Sequence, residues 1–170
     1  LFIEFHGYRG EAYRDFAGGD LIFKTLKCNT LLVDQRAHGK SGGTSISFGI
    51  KERHDCYAWV EYAKERFGDI PIFLVGISMG GATVLMASDL DLPSNVKGII
   101  ADCPYSSPKE IICKVCKVEL KLMPWIIYPF IKLSAILFGG FNPSKEGAIK
   151  SVKSTKIPIL LIHGDGDSFV

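Results

Sequence analysis

VGISMGG, residues 75–81, closes the apolar run PIFLV (71–75) and leads into GGATVLMASDL (80–90). A short run this apolar reads as a strand buried on both faces of a parallel sheet, and the stretch after it as a buried helix. Gly76-Ile77-Ser78-Met79-Gly80 is thus a G-x-S-x-G at a strand-to-helix turn, the context that motif requires. Such a sharp turn forces the serine into strained backbone angles. A Cβ at Gly76 or Gly80 would clash where strand and helix nearly touch. The hydroxyl is pushed out of the sheet beside a helix N-terminus, with its free N–H groups and positive dipole end. Ser78 is therefore read as a nucleophile; the plainer alternative is a glycine-rich turn with a spectator serine.

The same grammar extends outward from the serine. LFIEF (1–5) runs into the turn HGYRG (6–10), and TLLVD (30–34) into the loop QRAHGKSGGTS (35–45). VKGIIADC (96–103) and PILLIHG (158–164) are two further strands. Residues 51–67 carry Cys56, Trp59, Val60, Ala63 and Phe67 at helical spacing, and Gly68 stops that helix. Apolar strands alternating with helices imply an α/β fold with a mostly parallel sheet. The 170 residues suffice for one domain, and 47% hydrophobic against 22% charged residues excludes a disordered chain. A net charge of +2, with basic residues scattered, gives no footprint for nucleic acid.

Five cysteines imply free thiols, with a reducing cytoplasm as the simplest compartment. Cys56 and Cys103 read as small core residues. Cys113 and Cys116 form a lone C-x-x-C without a second ligand pair, so no metal site is expected there. Leu1 opens inside an apolar strand and Val170 follows one closely, which reads as an internal stretch of a longer polypeptide. A leader or anchor before Leu1 stays outside the reading.

Residues 105–142 interrupt the alternation, being too long for a simple loop. They read as an inserted helical excursion over the end of the sheet. Trp125–Phe138 is strongly apolar but has 14 residues with Pro129 and Lys132 inside, short for a membrane span. A cap is the favoured reading, with Tyr105, Met123, Trp125, Ile126, Ile127, Tyr128 and Phe130 expected to wall an acyl pocket. Burial of a helix against the core is the plainer alternative for each of them. Membrane contact through 125–138, with Lys114, Lys117, Lys121 and Lys132 on anionic lipid, is the less favoured reading of the same residues.

A nucleophilic serine needs donors for the developing oxyanion. The backbone N–H of Met79 is one candidate, and the Tyr8 N–H, in the turn after the first strand, is the other. His6 is expected to prop that turn. In HGDGDSFV (163–170), Asp165 and Asp167 compete to orient a histidine, and Asp167 is the stronger candidate. Asx-turn chemistry is the plainer role for both.

Together HGYRG, DQRAHGKSGG, GISMGG and HGDGDSFV, in this order at successive strand ends, resemble the α/β-hydrolase superfamily. DCPYSSPKE (102–110) adds a similarity to the Bem46 and YqkD-like group of bacterial serine hydrolases, described as esterases or peptidases. The resemblance implies eight mostly parallel strands, helices on both faces and a cap inserted after the sixth strand. The first two strands and the eighth would lie outside 1–170. It also implies the chain order nucleophile, acid, histidine. None of His6, His38, His54 or His163 follows the acid, so the base is expected beyond Val170. The implied activity is a carboxylesterase with a small acyl ester as substrate and no metal or organic cofactor. A peptidase or amidase with the same triad, and a non-catalytic binding protein on this fold, are the alternatives. Oligomeric state is not legible in these residues.

Overall fold

The computed structural model describes residues 1–18, 24–167 and 169. Five strands form one sheet: β1 (Phe2–Phe5), β2 (Thr30–Val33), β3 (Ile72–Ile77), β4 (Val96–Asp102) and β5 (Ile159–Ile162). All neighbours are parallel, in the order β2-β1-β3-β4-β5. Between them lie α1 (Ala12–Asp15), α2 (Glu52–Phe67), α3 (Met79–Ala87), α4 (Pro108–Val118), α5 (Pro124–Leu137) and α6 (Ala148–Val152).

Every residue of α3 is buried, in keeping with its lack of charged positions. The helix packs on β1, β3 and β4 and is flanked by α2 and α6. Cys56, Val60 and Ala63 form the buried face of α2, with Trp59 packed at its edge; Phe67 is half exposed at the last turn. The sheet face beneath α3 holds Ile3, Phe5, Val33, Leu74 and Ile99, all about fully buried.

The apolar run of β3 suggested two covered faces. Instead Ile72, Leu74 and Gly76 are buried while Phe73, Val75 and Ile77 are only partly so. The difference has a simple origin. Among the described residues, α2, α3 and α6 stack on one face, and Phe73 meets mainly the ring of Phe2 opposite it, 5.4 Å away. At the sheet edge Leu160, Leu161 and Ile162 of β5 are about half exposed.

Two features escaped the hydrophobic pattern. Arg53 is nearly buried and pairs with Asp89 at 2.7 Å, which also accepts from the Ser151 hydroxyl at 2.8 Å. That cluster ties α2 to α6 and to the residues after α3. Glu52 folds back on its own helix start, accepting from the N–H groups of Ser47 and Gly49, both at 2.8 Å. The carboxylate thereby satisfies two backbone donors of the loop that leads into the helix.

The N-terminus of α3 comes unusually close to the strand ends. A Cβ on Gly80 would lie 1.8 Å from the carbonyl oxygen of Phe5, and one on Gly76 would lie 2.2 Å from that of Gly80. Both obstacles are backbone, so no rotamer change relieves them. Gly80→Ala should therefore lower the unfolding free energy by at least about 3 kcal/mol in urea titrations, by overpacking. Gly42→Ala, whose Cβ meets nothing within 4 Å, should stay within about 1 kcal/mol of the parent.

Glu4 gives a second test. It is fully buried in β1, its register neighbours are Leu32 and Val75, and neither carboxyl oxygen has a hydrogen-bond partner. Burial pushes its pKa from 4.5 up to about 7. Between those values the native state keeps a proton that the unfolded chain has released. Stability therefore falls as pH rises through that window and levels off above it. The loss is on the order of 3 kcal/mol, and Glu4→Gln should remove most of it. A parent equally stable at pH 5 and pH 8 would refute the assignment.

Candidate active site

Ser78 stands between β3 and α3 with φ 53° and ψ −111°, a conformation L-residues avoid. Strain of this kind is on the order of 1–3 kcal/mol and persists only where its surroundings enforce it. The enforcement is visible. The Ser78 N–H donates to the carbonyl of Asp102 at the end of β4, at 2.8 Å, and its own carbonyl accepts the first helical N–H, from Ala82, at 2.9 Å. Gly81 lets the same turn pass within contact of the Asp102 carbonyl and the Pro104 ring.

The turn after β1 lies alongside. A Cβ on Gly7 would sit 3.6 Å from the Cβ of Ser78. Its conformation is set by polar groups that are themselves buried. His6 Nδ1–H donates to the Gly7 carbonyl at 2.7 Å, while His6 Nε2 accepts the Gln35 N–H at 3.0 Å. The Gln35 amide donates back to the His6 carbonyl at 2.5 Å, and the Gly7 N–H donates to Asp15 Oδ2 at 3.1 Å. His38 accepts the Arg9 N–H at Nε2 and donates from Nδ1 to the Arg36 carbonyl. Its ring meets that of His6 edge to face at 4.7 Å.

Both nitrogens of His6 are thus committed to the backbone, and burial holds its pKa below the usual value. It braces the turn as a neutral imidazole. Around this network, the N–H groups of Tyr8 and Met79 donate to no acceptor among the described residues. Met79 follows the serine in the chain, and Tyr8 follows Gly7, which faces it.

Asp167 sits on the turn that follows β5. Its N–H donates to the Gly164 carbonyl at 3.0 Å and its Oδ1 accepts from Phe169 at 2.7 Å. Its Oδ2 is 3.7 Å from His163 Nε2. Asp165 is exposed. His54 is exposed on α2, so no histidine of the described residues hydrogen-bonds the Ser78 hydroxyl.

Cys103 was expected in the core and is not there. It is half-buried, has φ 39°, and follows Asp102, whose carbonyl holds the Ser78 N–H. Burial raises its thiol pKa, the charge of Asp102 adds to the rise, the Ser78 backbone opposes it, and Asp167 raises it further. The sequence signal was its place directly after an apolar strand, where the chain must bend over the end of the sheet. Cys113 and Cys116 are free thiols on α4. No group of three or more His, Cys, Asp or Glu among the described residues could hold a metal ion.

A small apolar cavity of about 250 Å³ adjoins the Tyr8 turn. Its walls include Tyr8, Phe48, Ile111, Val115, Ile131 and Phe141, and Tyr8 stacks on Phe48 at 5.5 Å. The aromatic and apolar residues singled out in the sequence lie elsewhere. Trp125, Phe130 and Met123 are well exposed, Ile126 is 42% exposed, and Ile127 is partly buried. Tyr128 is buried with its hydroxyl on Ser144, and Tyr105 is buried with its hydroxyl unpartnered. The helical part of the cavity wall comes instead from the inward faces of α4 and α5.

A larger open cavity of about 700 Å³ lies between the loop after β2 and α2. Its charges are already engaged. Asp34 accepts from the Ala12 N–H, and Arg36 binds Asp55 with two hydrogen bonds of 2.5 and 2.6 Å. Ser78 and Tyr8 are not among its walls.

Comparison with known proteins fits this arrangement. The chain is 27% identical over 150 residues to the uncharacterized protein YqkD of Bacillus subtilis (strain 168), covering 88% of this chain and 49% of that protein. It is 25% identical over 162 residues to the lysophosphatidylserine lipase ABHD12 of Macaca fascicularis, covering 88% and 36%. The chain thus spans about half or less of these curated relatives. Among solved structures, the Pyrococcus furiosus esterase Pf2001 superimposes with a TM-score of 0.73 at 30% identity, over 99% of this chain and 63% of that one. Mouse alpha/beta hydrolase domain-containing protein 10 shares the fold, with a TM-score of 0.63 at 20% identity over 99% and 70%. The family model described as "Serine aminopeptidase, S33" matches residues 5–146. With the elbow serine, the glycine turn beside it and the parallel sheet beneath, the chain belongs to that family, within the α/β-hydrolase superfamily.

Proposed function

We propose that the protein is a serine hydrolase that cleaves small carboxylic esters by acyl transfer to Ser78. The observation that carries this reading is the strained serine turn flanked by two unaccepted backbone N–H groups. A strained serine held in such company supports a functional role. Ser78 Oγ attacks the ester carbonyl, and the new oxyanion receives the N–H groups of Met79 and Tyr8. A histidine supplied from beyond Val170 accepts the Ser78 proton, passes it to the leaving alcohol and then activates water. Asp167 orients that histidine. The apolar cavity beside Tyr8, below the usual range of ligand sites, suits a short acyl chain. The esterase among the structural neighbours supports the ester reading.

The family description favours one alternative bond. An aminopeptidase would run the same steps on an amide, so rates on an ester and its matched amide decide between them.

Hydrolysis of p-nitrophenyl butyrate by the full-length protein is the test. Ser78→Ala should fall to background, and Asp167→Asn should lose on the order of 10⁴-fold in kcat. Asp165→Asn and His163→Ala should stay near the parent rate. Labelling of the parent by a fluorophosphonate, absent in Ser78→Ala, separates a hydrolase with a narrower substrate from a binding protein. A folded parent that neither turns over ester nor takes the label would defeat the proposal.

A further inference from the structure

Helix α5 turns an apolar face outward. Ile126, Phe130, Leu133 and Leu137 recur at i, i+4, i+7 and i+11, one stripe of a helix, and all are exposed. Trp125 is 75% exposed, Phe130 68%, and Phe138, just past the helix, 87%. Between positions 118 and 138, eleven large apolar side chains are each more than 40% exposed. Single exposed apolar residues are ordinary on globular proteins, but a contiguous patch of this extent marks an interaction surface.

The charge around the patch is predominantly positive. No Asp or Glu occurs from 120 to 145, whereas Lys121, Lys132 and Lys145 do, and Lys114 and Lys117 lie on the neighbouring α4. The flanking acidic residues are Glu119 and Glu146, and Glu146 already faces Lys150 at 3.0 Å and Arg53 at 3.7 Å. Two copies meeting through this face would set lysines against lysines, because a two-fold contact uses the same patch twice. An anionic lipid surface supplies the missing sign. The length of α5 fixes the mode. Fourteen residues make about 21 Å of helix, against a hydrocarbon core of about 30 Å. No helix among the described residues is long and apolar enough to cross a membrane. Such a helix lies in the plane of the interface.

We propose that the outer face of α4–α5 docks the protein on an anionic membrane surface. Trp125, Phe130, Leu133 and Phe138 enter the boundary between headgroups and acyl chains, while Lys121 and Lys132 face lipid phosphates. This goes beyond the reaction at Ser78 and does not depend on it.

The test is co-sedimentation of the full-length protein with phosphatidylcholine vesicles, with and without about 30% phosphatidylglycerol, at about 50 and 500 mM salt. The parent should pellet with the anionic vesicles at low salt and be released at high salt. Trp125→Ser/Phe130→Ser should abolish pelleting, and Lys121→Glu/Lys132→Glu should weaken it by at least about 25-fold, from roughly fivefold per lysine. All four side chains leave the core untouched, so thermal midpoints should match the parent. Ser78→Ala should bind like the parent, which keeps this result separate from the hydrolase assignment. Equal binding to neutral and anionic vesicles, or binding indifferent to both double variants, would overturn the proposal. So would a parent that ignores vesicles but sediments as a dimer that Trp125→Ser/Phe130→Ser dissolves.

Discussion

The contact between Gly80 and the Phe5 carbonyl fixes the rest of the site. With only a hydrogen at Gly80, α3 begins almost against the end of β1. That proximity gives the chain no room for a relaxed turn between β3 and α3, so Ser78 takes positive φ. It also brings the start of α3 beside the turn after β1, so the two N–H groups proposed as oxyanion donors, of Met79 and Tyr8, come from different elements. A longer, softer connection would relieve the strain and separate the donors.

Close packing alone would not shape the turn at residues 6–10. Its backbone groups are held by side chains from three places: His6 itself, Asp15 in α1, and Gln35 and His38 after β2. Gln35 also accepts from the hydroxyl of Thr83 in α3, at 3.3 Å, which joins the turn to the nucleophile helix. In a buried network each partner is expensive to lose, because the atom left behind stays dry and unpaired. The neutrality of His6 matters here. A protonated ring would leave its Nε2 a donor facing the Gln35 N–H, and burial disfavours that state.

Much of this was legible in the residues. Every strand announced itself as a largely apolar run, although the outer strands β2 and β5 stay partly exposed, and the G-x-S-x-G located the turn without ambiguity. The glycines at 76 and 80 stated their reason in advance: each faces backbone, where no side chain fits. Polar interior groups were not legible. Glu4 is buried beside apolar neighbours, and Glu52 and Arg53 are buried on a helix face that their charges would assign to solvent. Arg53 is buried against a partner far away in sequence, Asp89, Glu52 turns back on the loop before its own helix, and Glu4 is enclosed by neighbouring strands; hydrophobic periodicity contains none of that information. Cys103 failed for a related reason: it follows an apolar strand but lies past the point where the chain leaves the sheet.

Orientation of the apolar insertion was the harder problem, and its cause is physical. Periodicity tells inside from outside only when one face is polar. α4 has such a face, and Ile111 and Cys116 are buried as its pattern requires. α5 is apolar nearly all round, so its sequence carries no instruction about which side meets the protein. The fold chooses by shape. Tyr128 goes inward because its hydroxyl finds Ser144, and Ile131 and Ala135 go inward to complete the cavity beside Tyr8. What remains outside is as apolar as what was taken in. A helix stabilised only by packing against α4 could have had a polar outer stripe at no loss to that contact. The apolar residues at those positions instead form a surface of the kind that marks an interaction site, which is the basis of the docking proposed above.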